Sequence, residues 1–141
     1  MNIQWYPGHM TKTRRQIEAD LKLVDVVVEI IDARIPVSSR NPDIDAICAG
    51  KPRLIVLNRA DQADPAQNKA WGTCFRSQGH SVLETDARSG RGINQFSVVV
   101  QGVLKDQIAK WREKGQVGRP VRAMVVGVPN VGKSTFINKV A

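Results

Sequence analysis

Four residues near the end of the chain have the spacing of a phosphate-binding loop. Gly127 is followed, after four intervening residues, by Gly132, Lys133 and Ser134, within the stretch GVPNVGKST at 127–135. In such a loop, glycines let backbone N–H groups turn around phosphate oxygens, and a helix N-terminus adds its positive end. The lysine reaches the outer phosphates, and the serine hydroxyl holds magnesium. An apolar stretch before the loop and a helical pattern after it favour this interpretation over a glycine-rich turn that binds nothing.

A second chemical pattern, Asn58-Arg59-Ala60-Asp61, follows another apolar stretch. A carboxylate at a strand end can accept hydrogen bonds from the ring N–H and the exocyclic amine of guanine, and adenine offers neither there. Asp61 is therefore the candidate for base selection. Asn58 can hold the base edge and link neighbouring loops, and Arg59 can cover the ring plane. Alone, this pattern is more often an ordinary turn, but with a phosphate loop in the same sheet it predicts a guanine nucleotide site.

The elements that must position these motifs form an alternating pattern of strands and helices. Apolar strand patterns occupy 25–31, 53–58, 81–86 and 123–128. Helical patterns cover 11–24 and 93–114, and two further helices are predicted to begin at Asn41-Pro42 and at Asp64-Pro65. This alternation predicts βαβ units and an α/β fold with a mostly parallel sheet. Residues 113–120 are broken by glycines and a proline, which predicts a linker before the last strand. Because ligands bind at the carboxyl ends of parallel strands, both motifs, together with Asp86-Ala87 after the third strand, are predicted at one edge of the sheet.

Composition narrows the class of protein. The 141 residues correspond to about one domain, and their 42% hydrophobic content is enough for a packed core. The net charge of +8 suggests a polyanionic partner, RNA rather than a membrane, although a basic surface kept for solubility would give the same number. The chain shows no signal peptide and no stretch as long as a membrane span. Cys48 and Cys74 are isolated and have no metal-ligand spacing, so a reducing, cytoplasmic location is predicted.

The basic residues are concentrated in two places. They fit contact with a phosphate backbone without base specificity, and a solvated helix face is the alternative. The first group lies at a helix start, and the second lies near the linker, where it outnumbers Asp106 and Glu113. The members are Lys12, Arg14 and Arg15 in the first group, and Lys105, Lys110, Arg112, Lys114, Arg119 and Arg122 in the second.

Four stretches of the sequence together resemble one known family. WYPGHM at 5–10, DARIP at 32–36, LNRAD at 57–61 and GVPNVGKST at 127–135 resemble the circularly permuted GTPases of the YlqF type, also called ribosome biogenesis GTPase A. The resemblance implies a three-layer P-loop NTPase-like fold, GTP hydrolysis, and a switch role in ribosomal subunit assembly with contact to rRNA or pre-ribosomal particles. It also explains the late phosphate loop, because the family's motif order is rotated. An RNA-binding or scaffold module with a structural nucleotide pocket is the alternative.

The resemblance also implies roles for individual residues. His9 is a candidate to orient the attacking water, or a surface histidine, and Asn130 is a candidate potassium ligand, or a loop-stabilising amide. Arg59 stands where the family usually has lysine, and Asp86 stands where many GTPases have serine, which leaves the role of the Asp86 side chain open. GTP or GDP, with magnesium on Ser134, would be held by Asn58, Arg59, Ala60, Asp61, Asp86, Ala87, Asn130, Val131, Gly132, Lys133, Ser134 and Thr135.

Family members continue past the phosphate loop into a switch threonine, an Asp-x-x-Gly strand and a helical C-terminal domain. Residues 1–141 are therefore expected to be a partial, circularly permuted GTP-binding domain that binds nucleotide weakly and does not hydrolyse GTP above background. The strand at 123–128 is expected to lack a neighbour on one side. Such an open apolar edge would invite association with another chain.

Overall fold

A computed structural model describes residues 3–8, 14–40, 43–127 and 132–140. Within them, five strands form one sheet in the order β1-β5-β2-β3-β4, and every neighbouring pair is parallel. The parallel sheet confirms the predicted α/β class. The strands are β1 (Ile3–Gly8), β2 (Val26–Asp32), β3 (Arg53–Asn58), β4 (Ser81–Glu84) and β5 (Val121–Val126).

In the described residues, five α-helices and two short 3₁₀ turns lie between these strands, and a sixth helix follows β5. Asp64 caps one helix as predicted, since its Oδ1 accepts a hydrogen bond of 3.0 Å from the Ala66 N–H, with Pro65 in the first turn. The helix opening predicted at Asn41-Pro42 lies outside the described residues. The helices are α1 (Arg14–Leu21), α2 (Ile44–Ile47), α3 (Pro65–Ser77), α4 (Phe96–Val103), α5 (Lys105–Glu113) and α6 (Lys133–Val140), and the 3₁₀ turns are Ala60–Gln62 and Ile93–Gln95.

The single long helix predicted at 93–114 is divided in the structure. A 3₁₀ turn opens it, and α4 and α5 meet at Leu104, which has φ −101° and ψ 15° and is fully buried. Helix α4 buries Phe96 and Val100, whereas α5 has no buried residue. The break at Leu104 therefore separates a helix that packs on the sheet from one that presents its polar side chains to solvent.

The sheet is covered on both faces, which produces three layers. Side chains alternate between the two faces along β2, so Val28 and Ile30 pack in the layer of α4 and α6, whereas Val27 and Ile31 pack on the opposite face. Val27 packs with α1 and α2, and Ile31 packs with Phe75 of α3. Every residue of β2 and β3 is buried, as expected for central strands of a parallel sheet.

The expectation of an open edge at 123–128 is wrong. Strand β1 pairs with β5 from Ile3↔Val121 to Gly8↔Val126, while β2 pairs with β5 on its other side. Sequence analysis missed β1 because Gln4 and Pro7 interrupt its apolar pattern. Trp5 packs into the α4 and α6 layer and stacks on Phe96 with 5.8 Å between ring centroids, which helps to hold the strand in place. Edge-strand association through β5 is therefore not supported.

The described residues include no helix that combines the length and the apolar character needed to cross a membrane.

Candidate nucleotide-binding site

The two predicted motifs meet at the carboxyl ends of the strands. A cavity of about 430 Å³ lies there, between the loops that follow β2, β3 and β4 and the start of α6. The guanine motif and the phosphate loop both contribute to its wall, as the parallel sheet predicts. The lining residues are Arg34, Asn58, Arg59, Gln62, Asp86, Ala87, Arg88, Gly132 and Thr135.

Asn58 links three of these loops. Its Oδ1 accepts hydrogen bonds from the Ala87 N–H at 2.9 Å and from the Thr85 hydroxyl at 3.2 Å. Gly132 lies against the other side of the amide: a Cβ there would sit 2.3 Å from Asn58 Nδ2, and the glycine has φ +87°. Only glycine satisfies both conditions without strain. The buried Asn58 side chain therefore joins the guanine motif to the loop after β4 and to the phosphate loop.

Asp86 and Ala87 occupy the inner wall of the cavity. Asp86 is 8% exposed, and its Oδ1 accepts a hydrogen bond of 3.2 Å from the Arg88 N–H. This Asx-type turn shapes the loop after β4. The Ala87 N–H is already bonded to Asn58, so a base contact at Ala87 would share that donor.

Arg59 is engaged by a carboxylate that sequence analysis did not assign to the site. Arg59 has the left-handed conformation, with φ 58° and ψ 32°, and its Nη1 donates to Asp32 Oδ2 at 2.6 Å. Arg34 donates to the same carboxylate from Nε at 3.0 Å and from Nη2 at 2.7 Å. The signal in the sequence was the position of Asp32 and Arg34 at the carboxyl end of β2. The structure adds that Asp32 holds both guanidinium groups at the mouth of the cavity.

The charge state of Asp32 follows from these contacts. Burial alone would raise the pKa of this carboxyl, which is only 3% exposed, but hydrogen bonds from Arg34 and Arg59 outweigh it and hold its pKa below the ordinary value of 3.8. Asp32 is thus a stable anion between two cations.

Replacing Asp32 with asparagine tests this network. We expect Asp32→Asn to lower the free energy of unfolding by about 1–2 kcal/mol at about pH 7, less than for a fully buried pair because both arginines are partly exposed. Because the folded-state pKa is depressed, the contribution of Asp32 is present above its unfolded pKa and disappears as the pH falls through the folded pKa. Denaturant unfolding at neutral and acidic pH measures both effects. Equal stability of parent and variant at neutral pH would contradict the expectation.

Asp61, the predicted base-selecting residue, lies beside the cavity and forms an ion pair with Arg91 Nη1. Both side chains are largely exposed, at 41% for Asp61 and 54% for Arg91. The loop after β4 positions Arg91, because the Asp86 N–H donates to the Arg91 carbonyl at 3.0 Å. Gly92 follows with φ +79°, and a Cβ there would meet the Glu84 carbonyl at 2.4 Å, so the loop lies tightly against the end of β4. Nothing in the sequence pattern pointed to Arg91.

The described part of the phosphate loop is anchored by α6. Phe136 is fully buried and packs edge-to-face on Phe96, with 5.2 Å between ring centroids. Lys133 Nζ donates to the Gly127 carbonyl at 3.3 Å, and Ser134 and Thr135 are exposed in the first turn of the helix. The candidate residues His9, Asn130 and Val131 lie outside the described residues.

A metal would have few protein ligands in the described part of the chain. There, no group of three or more histidine, cysteine, aspartate or glutamate side chains could hold a metal ion. The exposed Ser134 hydroxyl at the start of α6 is compatible with magnesium that takes its other ligands from phosphates and water.

The three-layer parallel fold, with a Gly-x₄-Gly-Lys-Ser sequence between strand and helix, defines the class of proteins with a P-loop NTPase-like fold. Comparison with protein-family models gave no match. Ribosome biogenesis GTPase A from Bacillus cereus is 50% identical over 141 residues, which are 100% of this chain and 48% of that protein. Over its whole length the chain is similar to the ribosome biogenesis GTPases of the YlqF type. It spans about half the length of the curated relatives that it matches.

Solved structures agree with this assignment. GNP-bound YlqF from T. maritima superposes with a TM-score of 0.63 at 35% identity, covering 90% of this chain and 46% of that one. A GDP-bound YlqF structure gives a TM-score of 0.62 at 36% identity, covering 89% and 47% of the respective chains.

Proposed function

We propose that this chain binds GTP and GDP in the cavity at the carboxyl ends of the strands. In the whole protein, this site hydrolyses GTP and acts as a switch in the assembly of a ribosomal subunit in the cytoplasm. The observation that carries the proposal is the junction at Asn58, where the guanine motif touches Gly132 of the phosphate loop. Relatives named ribosome biogenesis GTPase A, and neighbours bound to GNP and GDP, support it.

The base would be held by the guanine motif and the loop after β4. Asp61 accepts from guanine, and the Ala87 N–H, which Asn58 now engages, is a second contact for the base edge. Arg59 can cover the guanine ring in either of two arrangements. Its guanidinium turns away from Asp32, or the hydrogen-bonded pair of Arg59 and Asp32 covers the ring together. Ala60 closes this end of the site because its N–H donates to the Thr85 carbonyl at 3.0 Å.

The phosphates would be held by residues 127–135. Backbone N–H groups at Gly132 and Thr135 and the Lys133 ammonium provide positive charge at the start of α6, and Val131, which precedes Gly132 in the sequence, is a further candidate phosphate ligand. Magnesium, when bound, neutralises phosphate charge, and Ser134 is its ligand from this segment. We further propose that residues 1–141 are part of a circularly permuted GTP-binding domain. In this domain Asn130 is a potassium ligand, and His9 orients the attacking water.

Nucleotide competition tests the proposed function against the alternative of an RNA-binding or scaffold module with a structural pocket. We expect labelled GTP to bind in a magnesium-dependent manner and to be displaced by GDP but not by ATP. Equal displacement by ATP, or no nucleotide binding, would favour the alternative.

The ion pair between Arg91 and Asp61 leads to a separate prediction. The guanidinium of Arg91 donates to the carboxylate that guanine would use, so the two compete. Exposed pairs contribute about 0.2–1 kcal/mol, and Arg91→Ala is therefore expected to tighten GDP binding by about 1.5- to 5-fold. Calorimetry measures the change, and Lys114→Ala, which removes one exposed positive charge at a distance in sequence and space from Asp61, is the matched control. Weaker GDP binding by Arg91→Ala would show that Arg91 contacts the nucleotide instead.

A further inference from the structure

A second cavity lies at the opposite edge of the sheet from the nucleotide site. It measures about 490 Å³ and is formed by α4, α5 and the segment that leads into β5. Val121, the first residue of β5, is part of its wall, so the cavity is at the amino ends of the strands. The lining residues are Gln101, Lys105, Ile108, Ala109, Trp111, Arg112, Gln116, Val117, Gly118, Arg119 and Val121. We propose that this groove, here called the α5 groove, binds single-stranded RNA.

Arg119 and Trp111, which both line the α5 groove, form a cation–π pair. The guanidinium carbon of Arg119 lies 4.1 Å from the centroid of the Trp111 ring, and Trp111 packs on the core cluster. Two further contacts hold this guanidinium: Nη2 to Asp25 Oδ1 at 3.4 Å, and Nη1 to Gln116 Oε1 at 3.3 Å. An arginine held over an aromatic ring is a surface on which an unpaired base can stack.

The rim of the groove adds positive charge. Residues 101–122 contain six lysines and arginines against two acidic residues, a net charge of +4 out of +8 for the whole chain. Lys105 and Arg112 line the groove with exposed side chains, because no residue of α5 is buried. This charge favours a phosphate backbone and disfavours a second copy of the same basic chain.

An exposed apolar residue completes the surface. Val117 is 82% exposed at the groove wall, where a base or ribose would cover it. The amides of Gln101 and Gln116 can hydrogen-bond to base edges. A concave surface that combines apolar, cationic and amide groups fits unpaired nucleotides. The choice of RNA over DNA rests on the proposed ribosomal function.

The positions of the two cavities lead to a functional consequence. The nucleotide site is at the carboxyl ends of the strands, whereas the α5 groove is at their amino ends. RNA and GDP therefore do not compete for the same surface. We expect the protein to bind both at once.

Fluorescence anisotropy with a labelled, unstructured RNA of about 12 nucleotides tests the proposal with the full 141-residue chain. Trp111→Ala is expected to weaken RNA binding about tenfold. Because loss of this ring also removes core packing, the double variant Lys105→Glu with Arg112→Glu is the second test, since both side chains are exposed. It should weaken binding and reduce the slope of log affinity against log salt by about 1.4, as expected for two lost phosphate contacts to a single strand. Lys69→Glu, which reverses the charge of an exposed side chain on α3 in the other helical layer, is the control.

The outcomes separate the two proposals. Two results would overturn the assignment of the α5 groove. The first is that the double variant binds RNA as well as Lys69→Glu does, and the second is that the parent protein binds no RNA. Displacement of RNA by saturating GDP would also overturn it, because it would place the RNA at the other edge. GDP binding measured on the same variants reports on the nucleotide site alone. Loss of RNA binding with unchanged GDP affinity supports both proposals.

Discussion

Lys133→Ala is expected to remove most of the affinity for GDP and GTP, by about 100-fold or more, because a polyphosphate in the loop loses its main point charge. In the structure the Lys133 ammonium donates to the neutral Gly127 carbonyl at 3.3 Å. That long bond is readily exchanged for a contact with a charged phosphate oxygen. The buried Phe136 ring, rather than Lys133, anchors α6, so the variant should keep its fold.

Calorimetric titration with GDP measures this effect. Lys139→Ala is the matched control, because Lys139 is an exposed lysine in the last turn of the same helix. The control should bind GDP like the parent. If Lys133→Ala also binds GDP within about twofold of the parent, the loop does not hold phosphates through its lysine.

Asp61→Asn is expected to reverse base selection. The amide no longer accepts both hydrogen bonds from guanine, and the cost should reach about 2 kcal/mol or more, which is roughly 30-fold in affinity. Xanthine has a carbonyl where guanine has its amine, and the asparagine NH₂ can donate to it. The variant should therefore prefer XDP to GDP.

Competition between XDP and GDP against a labelled nucleotide measures this change. Asp64→Asn is a control three residues further along the chain, because Asp64 caps α3 through Ala66 and asparagine is also an effective cap. This control should keep the preference for GDP. Unchanged GDP affinity in Asp61→Asn would show that Asp61 does not read the base. The ion pair with Arg91 would then be its main contact.

Local sequence determined the central elements and the motifs that follow them. Strands β2, β3 and β5 were recognisable because central strands of a parallel sheet are buried on both faces and form continuous apolar stretches. The cap of α3 was equally visible, since Asp64 and Pro65 act within one turn. The meeting of the guanine motif and the phosphate loop followed from the rule that parallel strands point their carboxyl ends to one edge.

Tertiary structure alone decided the remaining features. Strand β1 exists because β5 offers it a ladder of partners 118 positions away in the register Ile3↔Val121, and no local pattern encodes that partner. The bonds from Arg59 to Asp32 and from Arg91 to Asp61 span 27 and 30 residues. Side-chain charges at such separations meet only when the sheet order has been set. Residue types and short spacings thus determined the kind of chemistry. The packing of distant segments determined which side chains share the site, because ion pairs and strand pairing depend on residues that are close in space but far apart in the sequence.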